Sequence, residues 1–245
     1  MQILNYNHNA LTLEIFPAEI YSDPLIVYHA TISSHSYSIE NNGFIVNIPP
    51  YPIVNAQSLI NFLQSPQISK YDLPKGFWKW TIAQGIEHYL DSIQKDEFSI
   101  SFASLSSACV SYAFSETKGG QAFRDIREAK QLIDDLMNKN IIQQNIVPQE
   151  VIDLFSQLES LEQSTGVVYA VRLPGNLDGI ECSAFNVVHS RKSLPVASIV
   201  AKIILPPNPT ELSISPDLLK DKNKEKLHTN NGIAVQLWRN QMESE

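Results

Sequence analysis

The spacing of apolar residues changes several times along this chain, which restricts it to a sheet interrupted by long helical stretches. Leu25-Ile26-Val27-Tyr28 is a short branched and aromatic run, as in a buried strand. Apolar residues then recur at helical spacing in 56–64, through Leu59, Ile60, Phe62 and Leu63. Phe77-Trp78-Lys79-Trp80-Thr81-Ile82 leads into a second amphipathic helix that reaches about residue 94. Phe98-Ser99-Ile100-Ser101-Phe102 alternates apolar and polar residues and predicts a strand. Helices follow at 104–114, with Ser104 as cap, and at 122–138, through Phe123, Ile126, Ala129, Ile133, Leu136 and Met137. Gly119-Gly120 separates the two, and Pro148 stands near the first turn of a further helix at 149–161. After Gly166 the pattern returns to strands at 167–173, about 184–189 and 197–205, and Pro206-Pro207-Asn208-Pro209 ends the last.

These segments predict one α+β domain over 1–245, with a strand-rich core and helical insertions at about 45–97 and 119–163. Residues 1–24 read as two short strands or an arm, and Pro49-Pro50-Tyr51-Pro52 as an extended surface turn. The tail, about 217–245, is either a docked element or a partly ordered end. A hydrophobic content of 43% suffices for a packed core, and a net charge of −8 argues against a broad nucleic-acid-binding face. Cys109 and Cys182 read as buried reduced thiols, and His35, His88 and His189 have no metal-ligand spacing. Arg124, Asp125, Arg127 and Glu128 read as a solvated helix face with ion pairs. No apolar run is long enough to span a membrane, and Met1-Gln2-Ile3-Leu4-Asn5 lacks signal-peptide character. The expected location is the cytoplasm, or a host-cell cytosol reached without a signal peptide of the usual kind.

Tyr28-His29-Ala30-Thr31, followed by Ser38-Ile39-Glu40-Asn41-Asn42-Gly43-Phe44, brings an imidazole and a hydroxyl to a strand end, before a helix that closes on glycine. A rigid strand of this kind suits a pocket for a small planar ligand. Tyr28, His29, Thr31, Ile39, Gly43 and Phe44 resemble the opening motif of the ADP-ribosyltransferase superfamily, in the branch of diphtheria toxin and the poly-ADP-ribose polymerases. Ala30 stands where glycine is usual. The stretch from Ser101-Phe102-Ala103 to Ser111-Tyr112 is similar to the family's second motif, with Tyr112 ten positions after Phe102. Val167-Val168-Tyr169-Ala170-Val171-Arg172-Leu173-Pro174 and the stretch from Asn186-Val187-Val188-His189 to Ser198-Ile199-Val200-Ala201-Lys202-Ile203 resemble its third.

The resemblance implies a split antiparallel sheet with NAD as substrate. His29, Ala30, Thr31, Phe102, Ala103 and Tyr112 would bind it, with Tyr112 stacked on the nicotinamide ring, because an electron-poor pyridinium is well held against an aromatic face. His29, Ser101 and Asn186 would occupy the triad positions. Ser101 stands where the family has tyrosine, and Asn186 where it has the catalytic glutamate. Glu181, five positions upstream, is the nearest carboxylate that could fill that slot. A carboxylate stabilises the oxocarbenium-like state formed when nicotinamide leaves, and its loss costs a few kcal/mol, on the order of a hundredfold or more in rate.

The implied activity is single transfer of ADP-ribose from NAD to a protein acceptor, without a metal, as in a bacterial effector or toxin. The alternatives are a degenerate module that binds NAD or ADP-ribose or acts in protein interaction, and an RNA 2′-phosphotransferase. The acidic composition speaks against the latter. Phe77, Trp78 and Trp80 mark the 45–97 insertion as a candidate partner surface.

Overall fold

A computed structural model describes residues 1–6, 15–75, 79–95, 97–104, 106–114, 120–182 and 187–206. Their strands are β1 (Gln2–Asn5), β2 (Ile26–Ile32), β3 (Ile100–Ala103), β4 (Gly166–Arg172), β5 (Ile180–Cys182), β6 (Val187–Ser190) and β7 (Ile199–Ile204). The helices are α1 (Ala18–Tyr21), α2 (Ser33–Asn42), α3 (Ile53–Leu63), α4 (Ile82–Gln94), α5 (Ser106–Phe114), α6 (Gln121–Asn138) and α7 (Gln149–Glu162). The protein is of mixed α+β class. Its described residues divide into two compact units, one from Met1–Val46, Ser99–Ser115 and Ser164–Glu245, the other from Asn47–Phe98 and Glu116–Gln163.

The first unit holds one sheet in the order β1-β7-β4-β2-β3-β6-β5. Only β1 and β7 pair in parallel; every other neighbouring pair is antiparallel. β4 is buried at every position except its last, as expected of an interior strand covered on both faces. Alternation then divides the core in two. Val27, Phe102, Val167, Tyr169, Val171 and Val188 pack with Phe44 on the first face. Tyr28, Val168, Ala170, Ala201 and Ile203 pack on the second, beneath Phe16 and Ile20 and against Cys109, Val110 and Ala113 of α5.

α2 follows β2 directly and is held to the first face by charge. The Glu40 carboxylate accepts from Lys202 Nζ at 2.6 Å and from the Tyr169 hydroxyl at 2.8 Å. Burial alone would raise the Glu40 pKa, but the Lys202 and Tyr169 hydrogen bonds and the Lys202 charge together hold it below its ordinary value. Lys202 is only 9% exposed, so this pair serves more to fix α2 in one place than to add net stability.

The helix ends at Gly43, whose φ of +78° is open to glycine and strained for other residues. A Cβ there would lie 2.2 Å from the Leu194 carbonyl oxygen, to which the Phe44 N–H donates. Gly43 therefore lets the chain pass close enough to pair Phe44 with Leu194 and to press the Phe44 ring into the sheet.

The second unit is helical. α6 buries Phe123, Ile126, Ala129, Ile133 and Leu136 on one stripe, and α7 buries Val151, Leu154, Leu158 and Leu161. α4 begins at Ile82, the last residue of the run expected to lead into it, where Thr81 and Gln84 form a capping box and the buried Asp72 accepts the Ile82 and Ala83 N–H groups. Phe77 and Trp78 lie outside the described residues, and Trp80 is 41% exposed. The charged face of α6 is more tightly engaged than a solvated surface: Lys75 Nζ meets Asp125 at 2.5 Å and Glu128 at 2.7 Å.

Three details differ from the sequence expectation. Ile180–Cys182 is a strand too short to show alternation. β7 starts at Ile199 because Pro195 leads into a 3-10 turn over Val196–Ser198. Cys182 is exposed and Cys109 buried, both free thiols, because Cys182 stands on the edge strand of the sheet. No helix of the described residues is long and apolar enough to cross a membrane. The 217–245 tail lies outside the described residues.

Replacing Gly43 with alanine is expected to lower unfolding stability by roughly 2–4 kcal/mol, since strain and a backbone collision add. Gly175→Ala, where an added Cβ meets nothing within 4 Å, should be close to neutral. Urea titration of both variants, read as midpoint shifts at unchanged slope, checks the contrast.

Candidate functional site

The site grows out of a broken ladder. β2 and β4 pair over seven residues, from Ile26↔Arg172 to Ile32↔Gly166. Between β2 and β3, the described residues hold the single pair Tyr28↔Ala103. The Ser33 N–H donates to the Thr165 carbonyl at 2.8 Å, and the Leu173 N–H to the Leu25 carbonyl at 2.9 Å. Odd-numbered residues of β2 therefore address β4, and by alternation Tyr28 and Ala30 turn their N–H and C=O toward β3.

In continued register Ala30 would pair with Ser101. The Ser101 carbonyl instead lies 2.9 Å from His29 Nδ1. A carbonyl can only accept, so Nδ1 carries the proton and donates it. The imidazole takes the carbonyl that the next ladder bond would use, and the described pairing stops there, with the Ala30 peptide on the β3 side of β2.

Phe44 and Phe102 hold that ring in place, with centroids 4.9 Å and 5.5 Å away in edge contacts at 71° and 62°. Such contacts contribute about 0.5–1.5 kcal/mol each beyond burial. Burial lowers the His29 pKa to about 4; the Ser101 hydrogen bond opposes the shift and nearby His35 adds to it. At neutral pH His29 is uncharged and fixed in one tautomer, leaving Nε2 as an acceptor, suited to a hydroxyl.

The other expected site residues divide between the two faces. Thr31 is 6% exposed, and its hydroxyl lies 3.3 Å from His35 Nδ1 of α2. Phe102 is 1% exposed and belongs to the first-face core. Ser101 and Ala103 project to the second face, where Ala103 packs against the α5 side of the core. Tyr112 is on α5, which covers that second face, and is 49% exposed. Asn186 lies outside the described residues.

Glu181, on β5, is opposite His189 of β6, which in turn is opposite Ser101 of β3, so the three form a row across adjacent strands. The Glu181 carboxylate is gripped by Arg191 at both oxygens, at 2.7 Å and 3.3 Å. That hydrogen bonding, with the charges of Arg191 and His189, holds its pKa below the ordinary carboxylate range.

His189, read from the sequence as without metal-ligand spacing, meets two serines. Its Nδ1 lies 3.2 Å from the Ser101 hydroxyl and 3.4 Å from that of Ser99. The alternation Val187-Val188-His189-Ser190 was a usable signal, since it turns His189 away from the core. Its partner became visible only with the strand pairing. Among the described residues no group of three or more His, Cys, Asp or Glu side chains could hold a metal ion.

Chemically, the end of the β2–β3 ladder has the Ala30 peptide at its edge, a neutral imidazole on the first face and the Ser101 hydroxyl on the second. Comparison with protein-family models, with curated proteins and with solved structures finds no match.

His29 should make stability depend on pH. Its folded pKa lies below its unfolded value near 6.5, so between about 6.5 and 4 the unfolded chain binds more protons. Stability is expected to fall as pH falls through that window, by on the order of 2 kcal/mol after allowing for the ring's partial solvent access. His29→Gln, which keeps an N–H donor for the Ser101 carbonyl, should flatten that limb in denaturant titrations at pH 7, 5.5 and 4.5.

Proposed function

We propose that this chain binds NAD at the opening between β2 and β3 and is a mono-ADP-ribosyltransferase with an atypical triad, built on an ADP-ribosyltransferase-like core. The observation that carries the reading is the ladder end itself. His29 Nδ1 occupies the Ser101 carbonyl, and Ala30 turns a peptide N–H and C=O to the gap. A primary amide such as that of nicotinamide is complementary to one such donor–acceptor pair. The His29 Nε2 lone pair is of the right kind to accept from a ribose hydroxyl. Tyr112, half exposed on α5, is an aromatic face of the type that stacks on a pyridinium.

The bond that breaks joins nicotinamide to C1′ of the ribose, and its electron pair leaves with neutral nicotinamide. Positive charge develops on the sugar and is stabilised by nearby lone pairs and dipoles. Ser101 supplies a hydroxyl without charge. The acceptor is a protein side chain, whose oxygen or nitrogen forms the new bond at C1′.

The second reading is an NAD- or ADP-ribose-binding module without turnover. It is favoured by the commitment of Glu181 to Arg191, which leaves that carboxylate already neutralised.

NAD at millimolar concentration is expected to raise the melting temperature of the natural chain by several degrees. His29→Ala and Tyr112→Ala should each lose most of that rise. Absence of any rise with the natural chain overturns both readings. Incubation with labelled NAD and a cell lysate then separates them: labelled protein or released nicotinamide supports the transferase, and neither supports the binding module.

A further inference from the structure

Acidic residues are unevenly spread over this chain. It carries 26 of them against 18 lysines and arginines, yet between Glu40 and Glu87 the sequence holds a single one, Asp72, beside Lys70, Lys75 and Lys79. Asp72 is 5% exposed and commits its carboxylate to the Ile82 and Ala83 N–H groups, at 2.8 Å and 3.3 Å. Lys75 is balanced in turn: with Arg124 it faces Asp125 and Glu128, two cations against two carboxylates. Lys70 and Lys79 remain. Both are exposed, and neither has a carboxylate partner among the described residues; Lys70 Nζ lies 4.9 Å above the Tyr71 ring instead.

These lysines belong to the connection between α3 and α4, which is tied down locally. Ile68, fully buried, roots it, and the Ile68 and Ser69 N–H groups return to the Ser65 carbonyl at 3.0 Å and 2.9 Å. Further on, the Lys75 N–H donates to the Trp80 carbonyl and the Lys79 N–H to that of Lys75, with Lys79 in the left-handed region at φ +53°. Apolar groups stand outside this frame. Leu73 is 69% exposed and Trp80 41%, although the Trp80 ring touches that of His88 on α4, with centroids 4.8 Å apart. An uncovered leucine, a half-covered indole and two unpaired ammonium groups on one short connection differ from a solvated loop, where large apolar side chains stand singly.

We propose that Lys70, Leu73, Lys79 and Trp80 dock the protein on the surface of an anionic lipid bilayer, without crossing it. An indole places its apolar body in the acyl boundary and its N–H in water, which concentrates tryptophan at membrane interfaces. A lysine stem covers apolar surface while its ammonium stays among the headgroups. A negative surface strengthens binding about fivefold for each such lysine. Carboxylates nearby would cancel that attraction, but Asp72 is buried, Asp125 and Glu128 are balanced, and Glu87 accepts from Gln64. A nucleic acid fits less well, because it is held through many phosphates at once and two free lysines answer few of them. The docking residues are separate from those around His29, so the proposal does not rest on NAD binding.

Co-sedimentation of the full chain with lipid vesicles tests this. At about 0.1 M salt the natural chain is expected to bind vesicles with roughly one-third phosphatidylserine in phosphatidylcholine at least about tenfold better than phosphatidylcholine alone. Most of that preference should vanish at about 0.5 M salt, where surface charge is screened. Lys70→Gln combined with Lys79→Gln should bind about 25-fold more weakly, and Trp80→Ala about tenfold. The two lysines are exposed, so the double variant keeps the test valid if the Trp80 variant melts early. Lys139→Gln removes an exposed charge after α6 and should bind like the natural chain. Equal binding to both vesicle types overturns the proposal. So does binding unchanged in the double lysine variant, an equal loss in Lys139→Gln, or tighter binding to single-stranded RNA than to the anionic vesicles.

Discussion

The hydrogen bond from His29 Nδ1 to the Ser101 carbonyl is the constraint on which the rest of the site depends. It replaces a backbone ladder bond with a side-chain one. Energetically the exchange is nearly even, since either bond contributes about 1 kcal/mol net. Its geometric effect is much larger. A ladder bond would continue the β2–β3 pairing past Tyr28 and Ala103; with the imidazole on the Ser101 carbonyl, the described residues hold that one pair. The end of the ladder thus coincides with one residue's choice of partner, and Phe44 and Phe102 pack edge-on against that residue's ring.

Everything that places Phe44 therefore acts on the site from a distance. α2 is held to the first face by the Glu40 carboxylate between Lys202 and Tyr169, and the chain turns at Gly43 where no Cβ fits. A charged pair on one side and a left-handed glycine on the other leave Phe44 little freedom. The aromatic contacts among His29, Phe44, Phe102 and Tyr169 then join the glycine, the helix and the strand in one packed cluster. Lowering of the His29 pKa follows first from that burial, with nearby His35 adding to it.

Much of the fold was legible because its helices are long and periodic. The stripe from Phe123 to Leu136 and the run through Leu59, Ile60, Phe62 and Leu63 fall on buried faces, and the apolar stretch of β4 is buried on both sides. Short elements were not legible: β5 has three residues, and α1 has four. The start of α4 depends on Thr81, Gln84 and Asp72 acting together, and Asp72 is nine residues before Thr81, beyond any local pattern. At the site, a strand-end histidine could be read from sequence, but its partner could not. Ser101 is 72 positions away, and whether His29 meets its carbonyl or its hydroxyl is settled by strand register. The same register places Ser101 with His189 and Glu181 on one face while Thr31 and Phe102 turn to the other, a division that spacing along the chain does not reveal.

Holding a dinucleotide and turning it over make different demands on such a site. On the proposed reading the groups that would hold the amide are backbone and need no charge, so binding does not depend on a charged triad. Stabilising an oxocarbenium ion needs negative charge placed within a few ångströms, in a site that excludes water. The chain's net charge of −8 does not supply it, because exposed charges are screened over about 8 Å at physiological salt and lack direction. Glu181 is close in register but already spends its charge on Arg191. Around Ser101 the described residues place two imidazoles, His29 at its carbonyl on one face of the sheet and His189 at its hydroxyl on the other.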